Sequence, residues 1–106
     1  LTPRKIGPLF ELRIYKYGQG DIPQVVDAWS KAIEERQKYS PLVGAWFSDL
    51  GPLNRWAHMW AYESFEHRME VRNETRAKGV WPPPSNVSPL HQENKLMWAA
   101  DFSPLQ

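Results

Sequence analysis

The sequence contains no cysteine. That excludes disulfide scaffolds, thiolate zinc sites and thiol nucleophiles. No apolar run approaches the ~18–20 residues that a membrane-spanning helix requires, and no segment is patterned as a signal peptide, so no membrane insertion is expected. Charge of one sign is lacking too: thirteen Lys and Arg stand against twelve Asp and Glu, a formal net charge of +1. Basic and acidic residues interleave, so no basic field marks nucleic acid as a partner. Gly18-Gln19-Gly20 lacks the rest of a phosphate-loop spacing, and nothing is patterned as a nucleophile elbow or a Ser/His/Asp set. What is plentiful is aromatic: six Trp, four Tyr and four Phe among 106 residues, with ten prolines. So much aromatic area must be buried or used for binding.

At 106 residues and 12.4 kDa the length suits one domain, expected over residues 1–106 with a core at about 9–103. Residues Leu9 to Tyr17 alternate: Phe10, Leu12 and Ile14 take one face, Glu11, Arg13, Tyr15 and Tyr17 the other, the period of a strand. Asp21 is a good helix N-cap and Pro23 suits the first turn. Ile22, Val25, Val26, Trp29, Ala32, Ile33 and Arg36 follow helical spacing as far as Ser40-Pro41. A second strand is predicted at about Leu42 to Leu50 and a third at about Arg55 to Glu63, joined through Gly51-Pro52-Leu53-Asn54. Ser64 opens a second helix, closed by Gly79, with a thinly apolar stripe of Phe65, Arg68, Met69, Arg72 and Arg76. Residues Val80 to Gln92, including Trp81-Pro82-Pro83-Pro84, carry no periodicity, and a loop that long is functional or mobile. A last strand is predicted at about Lys95 to Phe102. The order βαββαβ specifies an α+β protein of the ferredoxin-like split βαβ type with a four-stranded antiparallel sheet.

Two helices cover only one face of such a sheet. Trp56, His58, Trp60 and Tyr62 form one row of the third strand and Ala57, Met59 and Ala61 the other, and neither row suits water. Each aromatic residue offers ~150–250 Å2 for burial, which predicts a homodimer whose sheets meet face to face. A monomer covered by its Pro-rich loop is the alternative.

Within these rows lie the groups that can do chemistry. Glu11, Arg13 and Tyr15 share a face of a strand that should be central, so the Glu–Arg pair should be partly desolvated. Arg13 could hold an anionic or carbonyl group with Glu11 orienting it; a structural ion pair is the competing role. His58, between Trp56 and Trp60, is the best candidate for proton transfer, against a role as a core histidine. Glu63, His67, Glu70 and Glu74 share a helical stripe but lack the paired histidines of a zinc helix, so a solvated face is expected and no metal. If the register puts both rows on one face, Glu11, Arg13, Tyr15, His58, Trp60 and Tyr62 line one ligand cavity, though a one-residue slip would separate them.

Glu11-Leu12-Arg13-Ile14-Tyr15, Tyr39-Ser40-Pro41-Leu42-Val43-Gly44-Ala45-Trp46, Asp49-Leu50-Gly51-Pro52-Leu53-Asn54 and His58-Met59-Trp60-Ala61-Tyr62, with Arg68 following and Phe102-Ser103-Pro104-Leu105 at the end, together resemble the NIPSNAP family. Asp49 stands where Glu is frequent in that family, and Met59 where Leu is usual. The resemblance implies a ferredoxin-like protomer in a dimeric α+β barrel. It brings no agreed catalytic mechanism and no cofactor. Animal members are associated with mitochondria and carry two such domains with a targeting segment, whereas this sequence resembles a single-domain, bacterial-type member, expected in the cytoplasm. The leading expectation is a homodimeric small-molecule-binding protein. The alternatives are a cofactor-independent oxygenase- or isomerase-like enzyme, with His58 as base and Arg13 stabilising an oxyanion, and a protein-interaction module without a ligand site.

Overall fold

A computed structural model describes residues 5–48, 54–83, 85 and 87–106. Residues 51–53 of the expected turn at 51–54, and residues 49–50 at the end of the expected second strand, therefore lie outside the described residues. The elements are β1 (Leu9–Lys16), α1 (Ile22–Arg36), β2 (Leu42–Phe47), β3 (Arg55–Tyr62), α2 (Phe65–Ala77) and β4 (His91–Trp98). The strands lie in the order β2-β3-β1-β4 and every neighbouring pair is antiparallel. This is the α+β, ferredoxin-like arrangement that the sequence order specifies. Among the described residues no helix is long and apolar enough to cross a membrane.

Local chemistry explains most of the boundaries. Ser64 Oγ accepts from the His67 amide at 3.0 Å and caps α2. Beyond its other end Gly79 adopts φ +70°, which residues with a Cβ seldom hold. Asp21 is the N-cap residue of α1, but its side chain makes no capping bond; its Oδ2 accepts from the Gly18 amide at 3.2 Å and closes the turn after β1. The last strand begins and ends four residues earlier than the predicted Lys95 to Phe102. β1 supplies the reason, since its ladder runs from Lys16 opposite His91 to Leu9 opposite Trp98 and then stops. The polar run His91-Gln92-Glu93-Asn94 lacks alternation because an edge strand is exposed along its length. Phe102, left beyond the sheet, is 92% exposed.

Register decides the two faces. Leu9, Glu11, Arg13 and Tyr15 of β1 lie opposite Tyr62, Trp60, His58 and Trp56 of β3 and share a face with them. The ring of Trp29 on α1 packs against Trp56, His58 and Trp60 at centroid distances of 5.1, 4.7 and 5.8 Å, so this face lies under the helices. The core forms here, around Leu9, Tyr17, Val25, Trp29, Trp60, Tyr62 and Val71. The aromatic row thus needs no second chain to bury it: Trp56, Trp60 and Tyr62 are covered by the protein's own helices and loop. That corrects the reason for expecting a dimer. The row left without a helix is the aliphatic one, where Leu12 and Ile14 are half-buried beside Ala57 and Met59, and Trp46 of β2 is 52% exposed. On α2 the buried positions are Val71 and Thr75, while Phe65 and Met69 stay exposed. The helix is rolled this way because Arg68 turns inward to a sheet carboxylate.

Candidate ligand-binding site

Strand periodicity sets Glu11, Arg13 and Tyr15 in line beneath α2. The Glu11 carboxylate receives Arg68 through Nη2 at 2.8 Å and Nε at 3.2 Å, and Arg13 Nη1 at 3.1 Å. Two cations on one buried carboxylate tie α2 to the sheet. Burial draws the Glu11 carboxyl upward, but the Arg68 hydrogen bond and the charges of Arg13, Arg68 and Arg72 outweigh it and hold the group below its ordinary value. Arg13 Nε donates to the Tyr15 hydroxyl oxygen at 2.9 Å. Asn94 on β4, with its amide oriented to suit both neighbours, accepts from Arg13 Nη1 at 2.8 Å.

His58 and Trp60 are two residues apart on one strand face, and the Trp60 indole N–H donates to His58 Nδ1 at 2.8 Å. Burial, reinforced by the charges of Arg13 and Arg36, lowers the His58 pKa to about 3. The ring is therefore neutral near pH 7, and with Nδ1 accepting, its hydrogen sits on Nε2. That N–H is buried with no hydrogen-bond partner among the described residues. In this tautomer the free nitrogen of His58 is a donor, and a general base needs the opposite.

Arg36 is a buried cation. Its Nη1 donates to Ser40 Oγ at 2.8 Å and its Nη2 to the Tyr62 hydroxyl at 3.0 Å, while the guanidinium carbon lies 4.0 Å from the Trp60 ring centroid. Its Nε is buried without a partner among the described residues. Burial lowers its pKa, opposed mainly by Tyr62.

A cavity of about 420 Å3 opens between sheet, helices and loop. Glu11, Arg13, Tyr15, His58, Trp60 and Tyr62 all line it. So do Trp29, Arg36, Arg72, Arg76 and Trp81, for which the sequence suggested no site role. Arg36 carried a usable signal, a charge within the apolar stripe of α1. Trp81 carried none, because its segment has no period. Its position follows from the chain path: the Val80 and Trp81 amides both donate to the Thr75 carbonyl, at 2.8 and 3.2 Å, turning the loop back over the cavity. Trp81 then meets Trp29 and Trp60 at centroid distances of 4.7 and 5.6 Å.

The lining therefore combines four guanidiniums, Arg13, Arg36, Arg72 and Arg76, with one carboxylate, and that carboxylate is already paired. Its walls are indole rings. Such a site attracts a small molecule with hydrogen-bond acceptors and an apolar body. Among the described residues no group of three or more His, Asp or Glu side chains could hold a metal ion. In the stripe of Glu63, His67, Glu70 and Glu74, His67 Nδ1 accepts from the Glu63 amide at 3.0 Å.

The family model described as NIPSNAP matches residues 10–104. Among curated relatives, human protein NipSnap homolog 2 is 34% identical over 108 residues, covering 99% of this chain and 38% of its own length. The protein NipSnap homolog of Dictyostelium discoideum is 37% identical over 73 residues, covering 69% of this chain and 33% of that protein. The chain thus spans less than half the length of these relatives. Among solved structures, a NIPSNAP family protein of unknown function from Agrobacterium tumefaciens superposes with a TM-score of 0.82 at 31% identity, over 100% of both chains. An uncharacterised NIPSNAP domain protein from Burkholderia xenovorans gives 0.77 at 29% identity, over 91% of this chain and 98% of that one. The chain belongs to the NIPSNAP family.

Proposed function

We propose that this protein is a homodimeric small-molecule-binding protein whose ligand site is the cavity beneath the helices. The observation that carries it is the pair of buried donors on Arg36 and His58 that have no partner among the described residues, beside Arg13, inside an indole-walled cavity of about 420 Å3. That volume falls within the ~300–1,000 Å3 usual for ligand sites. A buried donor without a partner costs about 1–3 kcal/mol, a cost that a bound acceptor removes. The six residues Glu11, Arg13, Tyr15, His58, Trp60 and Tyr62 form its sheet wall, with Glu11 holding the arginines in place.

The dimer draws its support from the other face, where Leu12, Ile14, Met59 and Trp46 leave an aliphatic surface that a second copy would cover. The protein works as one domain in the cytoplasm, which cell fractionation of the full-length product checks. The test of the ligand site is a thermal-shift screen of small metabolites on wild type and Arg13→Ala. Specific ligands raise the melting temperature of the wild type and not of the variant. Equal shifts in both, or none in either, defeat the assignment. Sedimentation equilibrium at micromolar concentration tests the dimer, and a species of 12.4 kDa refutes it.

A further inference from the structure

The polar groups of the cavity are unbalanced. On β1, β3 and α1, the acceptors are already engaged: Glu11 by Arg68 and Arg13, the Tyr15 oxygen by Arg13, the Tyr62 oxygen by Arg36, and His58 Nδ1 by Trp60. Donors remain. Arg36 Nε and His58 Nε2 have no partner among the described residues. Among the described residues no ion pair engages Arg72 or Arg76. A ligand bringing donors of its own would leave these groups unsatisfied, whereas one bringing only acceptors completes them. The flanking surface is the ring cluster of Trp29, Trp60 and Trp81.

We infer that the cavity takes an organic monocarboxylate with an apolar, ring-bearing body, its carboxylate received by Arg13, Arg36 and Arg72 and its ring by Trp29 and Trp81. This rests on the cavity being a ligand site. The guanidinium fork matches a carboxylate in two parallel hydrogen bonds. A single charge fits better than two. α1 ends at Arg36, and Thr75 and Arg76 in the last turn of α2 line the cavity, so two helix C-termini bring partial negative charge towards it. A phosphate dianion meets that charge and a monocarboxylate meets half as much.

Isothermal titration of the full chain with benzoate, 4-phenylbutyrate and 2-naphthoate, each beside its primary amide, tests the inference, with phenyl phosphate as the dianion. At least one acid should bind once per chain, ten-fold or more tighter than its amide and tighter than phenyl phosphate. Arg72→Gln should weaken that acid at least five-fold and leave the amide unchanged, with Arg72→Lys recovering part of the loss. Arg72 is only half-buried, and circular dichroism confirms that both variants fold. Amides that bind as well as acids overturn the carboxylate and leave the ligand site standing. Tighter binding of phenyl phosphate overturns the single charge. An unchanged acid affinity in Arg72→Gln means the arginine serves only the helix end, and overturns the placement. If no acid and no amide binds, the inference and the ligand-site reading fall together.

Discussion

The two faces of this sheet differ in how they treat polarity. Under the helices, among the core aromatics, lie the buried Glu11 and His58 with the half-buried Arg13 between them. On the open face, with no helix above it, lie Leu12, Ile14, Ala57 and Met59. Stability alone gives no reason to set these polar groups among the core residues Leu9, Trp56, Trp60 and Tyr62. Charges persist in a core when they are paired, as Glu11 is, or when something is to be bound there, as the unpartnered donors of Arg36 and His58 suggest. An aliphatic row persists on a surface when something covers it. The buried face has the features of a site and the open face those of an interface.

The largest effect that can break this contrast is on the buried charges. Glu11→Ala leaves Arg13 and Arg68 facing each other without their carboxylate and should cost ~3–5 kcal/mol in urea unfolding. A loss below about 1 kcal/mol, the range of exposed pairs, would mean that the row is solvated after all.

Acid comes next. His58 binds a proton near pH 6.5 when unfolded but only near pH 3 when folded. Between those values the unfolded state holds more protons, so stability falls as pH falls, by up to about 1.4 kcal/mol per unit. Glu11, with its folded value held below the ordinary 4.5, adds loss in the same direction under pH 4.5. Urea midpoints at pH 7, 6 and 5 should therefore decline in the wild type and stay flatter in His58→Phe. Parallel curves would contradict a neutral, buried imidazole.

On the open face, Leu12→Glu should leave the fold intact and convert the proposed dimer to a 12.4 kDa species in sedimentation equilibrium. An unchanged dimer would move the interface elsewhere. The smallest effect is expected on the outer surface of α1, where Lys31 pairs with Asp27 at 3.0 Å in full contact with water. Lys31→Ala should shift stability by less than about 0.5 kcal/mol.

The element order was legible because the periods of β1 and β3 are clean and α2 carries both its serine cap and its terminal glycine. The same alternation put Glu11, Arg13 and Tyr15 in one row and His58, Trp60 and Tyr62 in another. What sequence cannot supply is the register between the rows, and here Arg13 pairs with His58 across the ladder. It also cannot say which face the helices take. The aromatic excess therefore pointed to a second chain, when Trp29 and Trp81 of the same chain cover those rings. β4 was misplaced because an edge strand of polar residues has no alternation to find. The loop contribution of Trp81 depends on hydrogen bonds to the Thr75 carbonyl, which no local pattern announces.

The division of labour between the faces is tested most directly by one thermal-shift series with 2-naphthoate on wild type, Leu12→Glu and Trp81→Ala. A site beneath the helices predicts that the wild type and Leu12→Glu gain the same rise in melting temperature while Trp81→Ala gains little. A rise lost in Leu12→Glu and kept in Trp81→Ala would contradict it and move binding to the open face.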